Sequence, residues 1–161
     1  MGRGGNDRQS EGQQSHTHED SERFTRYHKN VYMPEDVRAA AEQFLPPIRT
    51  PLRLSLHYSE IMGQRRLPSS LYMPRTWSIV EVAVAKRTMA VYRVMIRFPW
   101  NKRSDFAMVL EGDYEVVTGY WVNPNDTHTT LDVSRYEARP LSAAELALTQ
   151  VIEREVLGAG S

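Results

Sequence analysis

Cysteine is absent from the 161 residues, which excludes disulfides and thiolate metal sites and fits a reducing compartment. Net charge is absent too: 20 lysines and arginines balance 20 aspartates and glutamates. Any affinity for a polyanion must therefore come from a local patch. No apolar run approaches the ~18 residues that span a bilayer, and no apolar stretch follows the basic residues near Met1. Neither a membrane span nor a secretory signal is expected, so the expected location is cytoplasmic.

Residues 1–30 are poor in apolar side chains, with only Phe24 between Met1 and Tyr27. Such a composition predicts a disordered polar tail, followed by one α+β domain over 31–161. Pro34 suits a first helical turn, and EDVRAAAEQF sets Val37, Ala40, Ala41 and Phe44 on one stripe before Pro46 and Pro47 end it. LRLSL (52–56) alternates as a strand or an extended lead-in. Tyr58, Ile61, Met62 and Arg65 then take helical spacing from near His57. Four β-branched and aromatic runs follow at 77–85, 89–98, 106–112 and 115–123, with breaks short enough for an antiparallel meander. Strand periodicity places Val116, Thr118, Tyr120 and Val122 on one face. SAAELALTQVIEREVLG closes the chain as a helix over 142–158, with Ser142 and Glu145 as a capping box. The expected architecture is α+β: N-terminal helices, a four-stranded antiparallel sheet and a C-terminal helix.

Chemistry-bearing residues gather in two segments. HYSEIMGQRRL (57–67) offers an imidazole, His57, and a guanidinium, Arg65. EVVTGYW (115–121) offers the hydroxyls of Thr118 and Tyr120. Arg65 lies about 80° around the helix from His57, whereas Arg66 falls on the opposite side. Arg93 and Arg97 share a strand face and could extend a basic track. His128, in the loop NPNDTHTT, is a candidate second acid–base group if that loop folds over the sheet, with Asp126 to orient it. The spacing Asp126-x-His128-x3-Asp132 is too weak a signal to predict a metal, and no metal or cofactor is expected.

HYSEIMGQRRL resembles the His-Ala-x3-Met-x2-Arg-Gly-Ile helix of domains related to RelE-type toxins and to the wider barnase–EndoU–colicin–RelE ribonuclease fold. His57, Met62 and Arg65 keep its spacing, while Tyr58 replaces the small residue and Arg66 the glycine. EVVTGYW resembles the late Thr-x-Tyr strand of the same proteins. NDTHTTLDVSRY is similar to a stretch of small actinobacterial phage proteins. The resemblance, over about residues 52–136, implies an RNase-toxin-like fold and metal-independent cleavage of RNA by its own 2′-hydroxyl. It implies proton transfer by His57, phosphate binding by Arg65, and supporting hydroxyls from Thr118 and Tyr120. Arg66, Arg93 and Arg97 would contact RNA, and an antitoxin or host protein would be a partner.

Two other classes stay open on the residues themselves. One is a non-catalytic module binding a phage or host protein. The other is an RNA-binding accessory protein using Arg53, Arg65, Arg66, Lys86 and Arg87, with Tyr72 or Trp100 as stacking surfaces.

Overall fold

The computed structural model describes residues 23–128 and 131–159. In chain order the elements are β1 (Phe24–His28), α1 (Glu35–Phe44), β2 (Arg53–Leu54), α2 (Leu56–Arg65), β3 (Ser78–Ala85), β4 (Val91–Pro99), β5 (Asp105–Glu111), β6 (Glu115–Val122) and α3 (Ala143–Ala159). They form one six-stranded mixed sheet in the order β1-β3-β4-β5-β6-β2, antiparallel except where β2 runs parallel to β6.

This corrects the expected four-stranded antiparallel sheet. The four-strand meander is present as β3 to β6, but a strand is added at each edge. β1 comes from the end of the stretch read as a tail, where Arg26, His28 and the polar residues before them hid a pairing with β3. β2, two residues long, falls inside the LRLSL run read as a strand or an extended lead-in, and it joins β6 through Arg53 opposite Glu115. The rest of the expected tail, residues 1–22, lies outside the described residues.

α1 and α2 cover one face of the sheet. Beneath them Val94, Ile96, Phe106, Met108, Leu110 and Val116 are wholly buried, together with Tyr58 from α2. The Tyr58 hydroxyl donates to the Pro68 carbonyl at 2.8 Å, which lets a tyrosine occupy a sealed position. Burial pushes that phenol up to about 12.

A bulge in β6 changes which side chains face the helices. Leu110 pairs with Val116 but Val109 pairs with Thr118, so Val117 is the extra residue. Val116, Gly119 and Trp121 thus stand opposite Leu110, Met108 and Phe106 of the core, whereas Thr118 and Tyr120 stand opposite Val109 and Ala107. The expectation that Val116 shares a face with Thr118 and Tyr120 is overturned by this one residue. Gly119 is required by proximity: a Cβ there would lie 2.6 Å from Cζ of Phe106 and 3.3 Å from the Ala107 carbonyl oxygen.

α2 runs along the otherwise open edge of β6. Ser55 caps the helix, its Oγ accepting from the Tyr58 N–H at 3.0 Å and reaching the Val117 carbonyl at 3.3 Å. Its own N–H donates to the Val116 carbonyl at 3.0 Å. At the other end Arg65 reaches the Gly119 carbonyl at 3.4 Å. The helix thereby covers carbonyls that would otherwise template pairing with another chain.

Two stability predictions follow from this geometry. Gly119→Ala should destabilise by roughly 1–3 kcal/mol, the usual cost of overpacking, read as a lowered denaturant midpoint. Arg66 sits at the α2 C-cap with φ 54° and ψ 43°, a left-handed conformation that glycine adopts without strain. Arg66→Gly should therefore raise stability by up to ~1 kcal/mol in the same assay.

Candidate functional site

The residues singled out from sequence fall in two separate places. The first is the α2–β6 edge. Nη1 of Arg65 lies 3.4 Å from Oγ1 of Thr118, so the two motifs meet across 53 residues of chain. His57 is exposed in the first turn of α2 and Arg65 in its last turn. Eight residues of helix separate their Cα atoms by about 12 Å along the axis, so Arg65 must turn back from Thr118 to share a phosphate with His57. Arg66 is exposed beside Arg65, and its carbonyl accepts from Nε1 of Trp121 at 3.2 Å. Around this edge Arg53 is paired with Glu115 at 3.2 Å.

The second place is an open cleft of about 430 Å³ on the sheet face opposite α1 and α2, roofed by the segment after β6. Tyr120 and His128 lie here, with Asp126, Glu81, His28 and Tyr136. Tyr120 therefore does not join Thr118; its hydroxyl donates to Sδ of Met95 at 3.2 Å. Burial, with the Glu81 carboxylate next, holds that phenol above its ordinary range. Tyr136 is raised further, again by burial and then by the charge and hydrogen bond of Glu81.

Arg97 builds this roof. It is 8 % exposed, binds Asp105 at 2.8 Å, and donates to the carbonyls of Asn123 at 3.0 Å, Pro124 at 3.3 Å and Asp126. Asn30 holds the next two carbonyls, those of Thr127 and His128, at 2.7 and 2.9 Å. Asp126 does not orient the His128 imidazole; its Oδ1 accepts from the His128 backbone N–H at 2.8 Å, where the chain turns at φ 57°. Nε2 of His128 is sealed from solvent with no hydrogen-bond partner among the described residues. Burial, reinforced by the nearby Arg97 charge, depresses this imidazole below its ordinary value. His28, 3 % exposed, is likewise depressed by burial, against the opposing pull of Glu81. The two rings stand 6.3 Å apart, and Tyr136 packs edge-on against His28 at 5.0 Å.

The expected RNA contacts Arg93 and Arg97 are thus committed within the fold. Arg93 is held by Glu111 through Nε at 3.0 Å and Nη2 at 2.6 Å. Asp126, His128 and Asp132 all line the cleft, yet among the described residues no three histidines or carboxylates group as metal ligands. The cleft walls mix the carboxylates of Glu81, Asp126 and Asp132 with Arg135, whereas Arg65 and Arg66 stand exposed at the end of α2. His28, Glu81 and Tyr136 gave no local signal: His28 enters the cleft only through the pairing of β1 with β3, where it stands opposite Glu81.

Removing Arg97 should be severe. Arg97→Met removes the partner of Asp105 and a donor to three carbonyls, of which Asn123 keeps the Asp126 N–H, and a loss of roughly 3–5 kcal/mol is expected; Arg93→Met, at a more exposed pair, should cost about 1 kcal/mol. The depressed imidazoles set a pH dependence. The unfolded chain, with ordinary histidines, binds more protons near and below pH 6.5, the ordinary value. Stability should be full above that pH and fall as pH drops towards the depressed folded values. Thermal melts from pH 7.5 to 5 should show this decline, and His28→Gln should flatten it.

Comparison of the chain with protein-family models, with curated proteins and with solved structures finds no match.

Proposed function

We propose that the chain is a metal-independent, RNase-like toxin domain that cleaves RNA by attack of the 2′-hydroxyl on the adjacent phosphate. The observation that supports this reading is the contact of Arg65 with Thr118, which joins the helix motif and the strand motif at one exposed edge. In the proposed reaction the exposed His57 imidazole takes the proton of the attacking 2′-hydroxyl, and that proton passes to the departing 5′-oxygen as the P–O bond breaks. Arg65, parked against Thr118 until RNA arrives, turns back along α2 to stabilise the charge developing on phosphorus. Arg66 adds charge for the neighbouring phosphate. Tyr120 and His128 are left out of the reaction, because they line the cleft over Met95, away from the α2–β6 edge. RNA is then the substrate, and an antitoxin would act by covering the edge.

A second reading, a module that binds another protein, is favoured by α3. Leu148, Val151, Ile152 and Val156 are 48–66 % exposed on that helix, an apolar surface with no cover among the described residues. None of the described helices is long and apolar enough to cross a membrane.

The deciding measurement is scission of single-stranded RNA in EDTA. The expected product is a 2′,3′-cyclic phosphate, with DNA untouched for want of the 2′-hydroxyl. His57→Ala should slow cleavage by ~10²–10⁴-fold, and Arg65→Ala should also slow it strongly. Tyr120→Phe and His128→Gln should cut at the wild-type rate provided they stay folded. No scission by folded wild-type protein, or full activity in His57→Ala, would leave the protein-binding reading standing instead.

A further inference from the structure

Beside the α2–β6 edge lies a cluster that the cleavage reading does not use. Trp100, at the end of β4, packs against Trp121 with ring centroids 5.5 Å apart and planes at 78°, and against Phe106 at 5.7 Å. Phe98 closes the set at 6.2 Å. Trp100 is nevertheless 42 % exposed. Edge-to-face packing on its inner side fixes the indole while its outer side meets solvent. A rigid aromatic surface of this kind binds without losing further side-chain freedom.

Charge surrounds it. Trp121 is tied to the Arg66 carbonyl, so Arg65 and Arg66 border the aromatic cluster on one side. On the other, the β4–β5 turn carries Lys102 and Arg103, both exposed. That turn is held in shape by Asn101, whose Oδ1 accepts from the N–H groups of Arg103 at 2.8 Å and Ser104 at 2.9 Å. The side chains of Arg66, Lys102 and Arg103 form no ion pair among the described residues, in contrast to Arg53, Arg93 and Arg97. The nearby carboxylate, Asp105, is neutralised by Arg97. A neutral chain has therefore concentrated uncompensated cations around one exposed indole.

We infer that Trp100, flanked by Arg66, Lys102 and Arg103, is a base-stacking subsite for single-stranded nucleic acid, seating a nucleotide that flanks the one held at Arg65. This rests on the cleavage reading for the identity of its substrate as RNA, but not for binding itself. An unstacked base offers its π-face to the indole, and the flanking phosphates fall to the cations. A duplex keeps its base faces covered, so the subsite selects single strands.

The test is fluorescence anisotropy with a labelled 2′-O-methyl RNA decamer, which cannot be cleaved, alongside scission of ordinary RNA. Wild-type protein should bind the single strand and bind the same sequence as a duplex more weakly. Trp100→Leu should weaken single-strand binding by about 5- to 100-fold, the usual worth of one stacked base, and Trp100→Phe should recover part of it. Tyr114→Ala, at the opposite end of the sheet, should have no effect. The exposed pair change Lys102→Glu with Arg103→Glu, which touches no packing, should flatten the salt dependence by more than one ion released. Equal affinity in folded Trp100→Leu, or an unchanged salt slope in the charge-reversed protein, would overturn the subsite. Binding with these dependences but no RNA scission keeps the subsite and removes the cleavage reading. Scission at the wild-type rate in Trp100→Leu with unchanged affinity does the reverse.

Discussion

One buried guanidinium organises the face of the sheet away from the helices. Arg97 sits mid-sheet on β4, where an unpaired charge would be costly, and its cost is offset by Asp105 and by the carbonyls of the segment after β6. Because those carbonyls belong to consecutive turns, a single side chain sets the path of residues 123–126. Everything the cleft contains depends on that path: the strained turn at His128, the approach of its imidazole to His28, and the packing of Tyr136. The later return of the chain to β1, where the Glu137 N–H donates to the Arg26 carbonyl at 2.7 Å, extends the same roof to the far edge.

The arginines divide by what surrounds them. Arg93 and Arg97 lie on β4, whose neighbour β5 supplies Glu111 and Asp105, so both are neutralised where they stand. Arg65, Arg66, Lys102 and Arg103 lie on a helix end and a hairpin tip and form no ion pair among the described residues, the nearby Asp105 being taken up by Arg97. Position in the fold, rather than residue type, decides which cations are available to a polyanion. This is why one face carries titratable groups and acid, and the neighbouring edge carries bare positive charge.

Much of the middle of the fold was legible because its residues alternate cleanly. Val94, Ile96 and Phe98 point to the core while Arg93, Met95 and Arg97 point away, as strand periodicity expects. Ser142 and the prolines marked helix limits through local chemistry. The β1 edge was not legible, since that strand is polar and gains its order from β3, while β2 showed only as the alternating LRLSL run, whose pairing with β6 alternation does not reveal. The site was half legible for a related reason. Helical spacing brought His57 and Arg65 into view, and the meeting of Arg65 with Thr118 follows from α2 lying along β6. The split of Thr118 from Tyr120 was invisible in alternation alone: both hydroxyls do lie on one side of β6, but one is at the open edge and the other over Met95. Arg66, which departs from the glycine of the resembling motif, proves to be a left-handed cap whose carbonyl anchors Trp121, so the departure is accommodated by conformation.

The two edge strands also shape how the chain assembles. β3 to β6 join through short turns, so their pairing closes small loops. Pairing Arg53 with Glu115 closes one of 62 residues, and Phe24 must find Ala85 across a comparable span. Closure entropy grows with such separation and is met before the contacts reward it. The meander can therefore condense first, with α2 and the two outer strands docking onto a sheet that already exists. In that order the α2–β6 edge, which brings Arg65 to Thr118, is among the last features of the molecule to be completed and among the first to open.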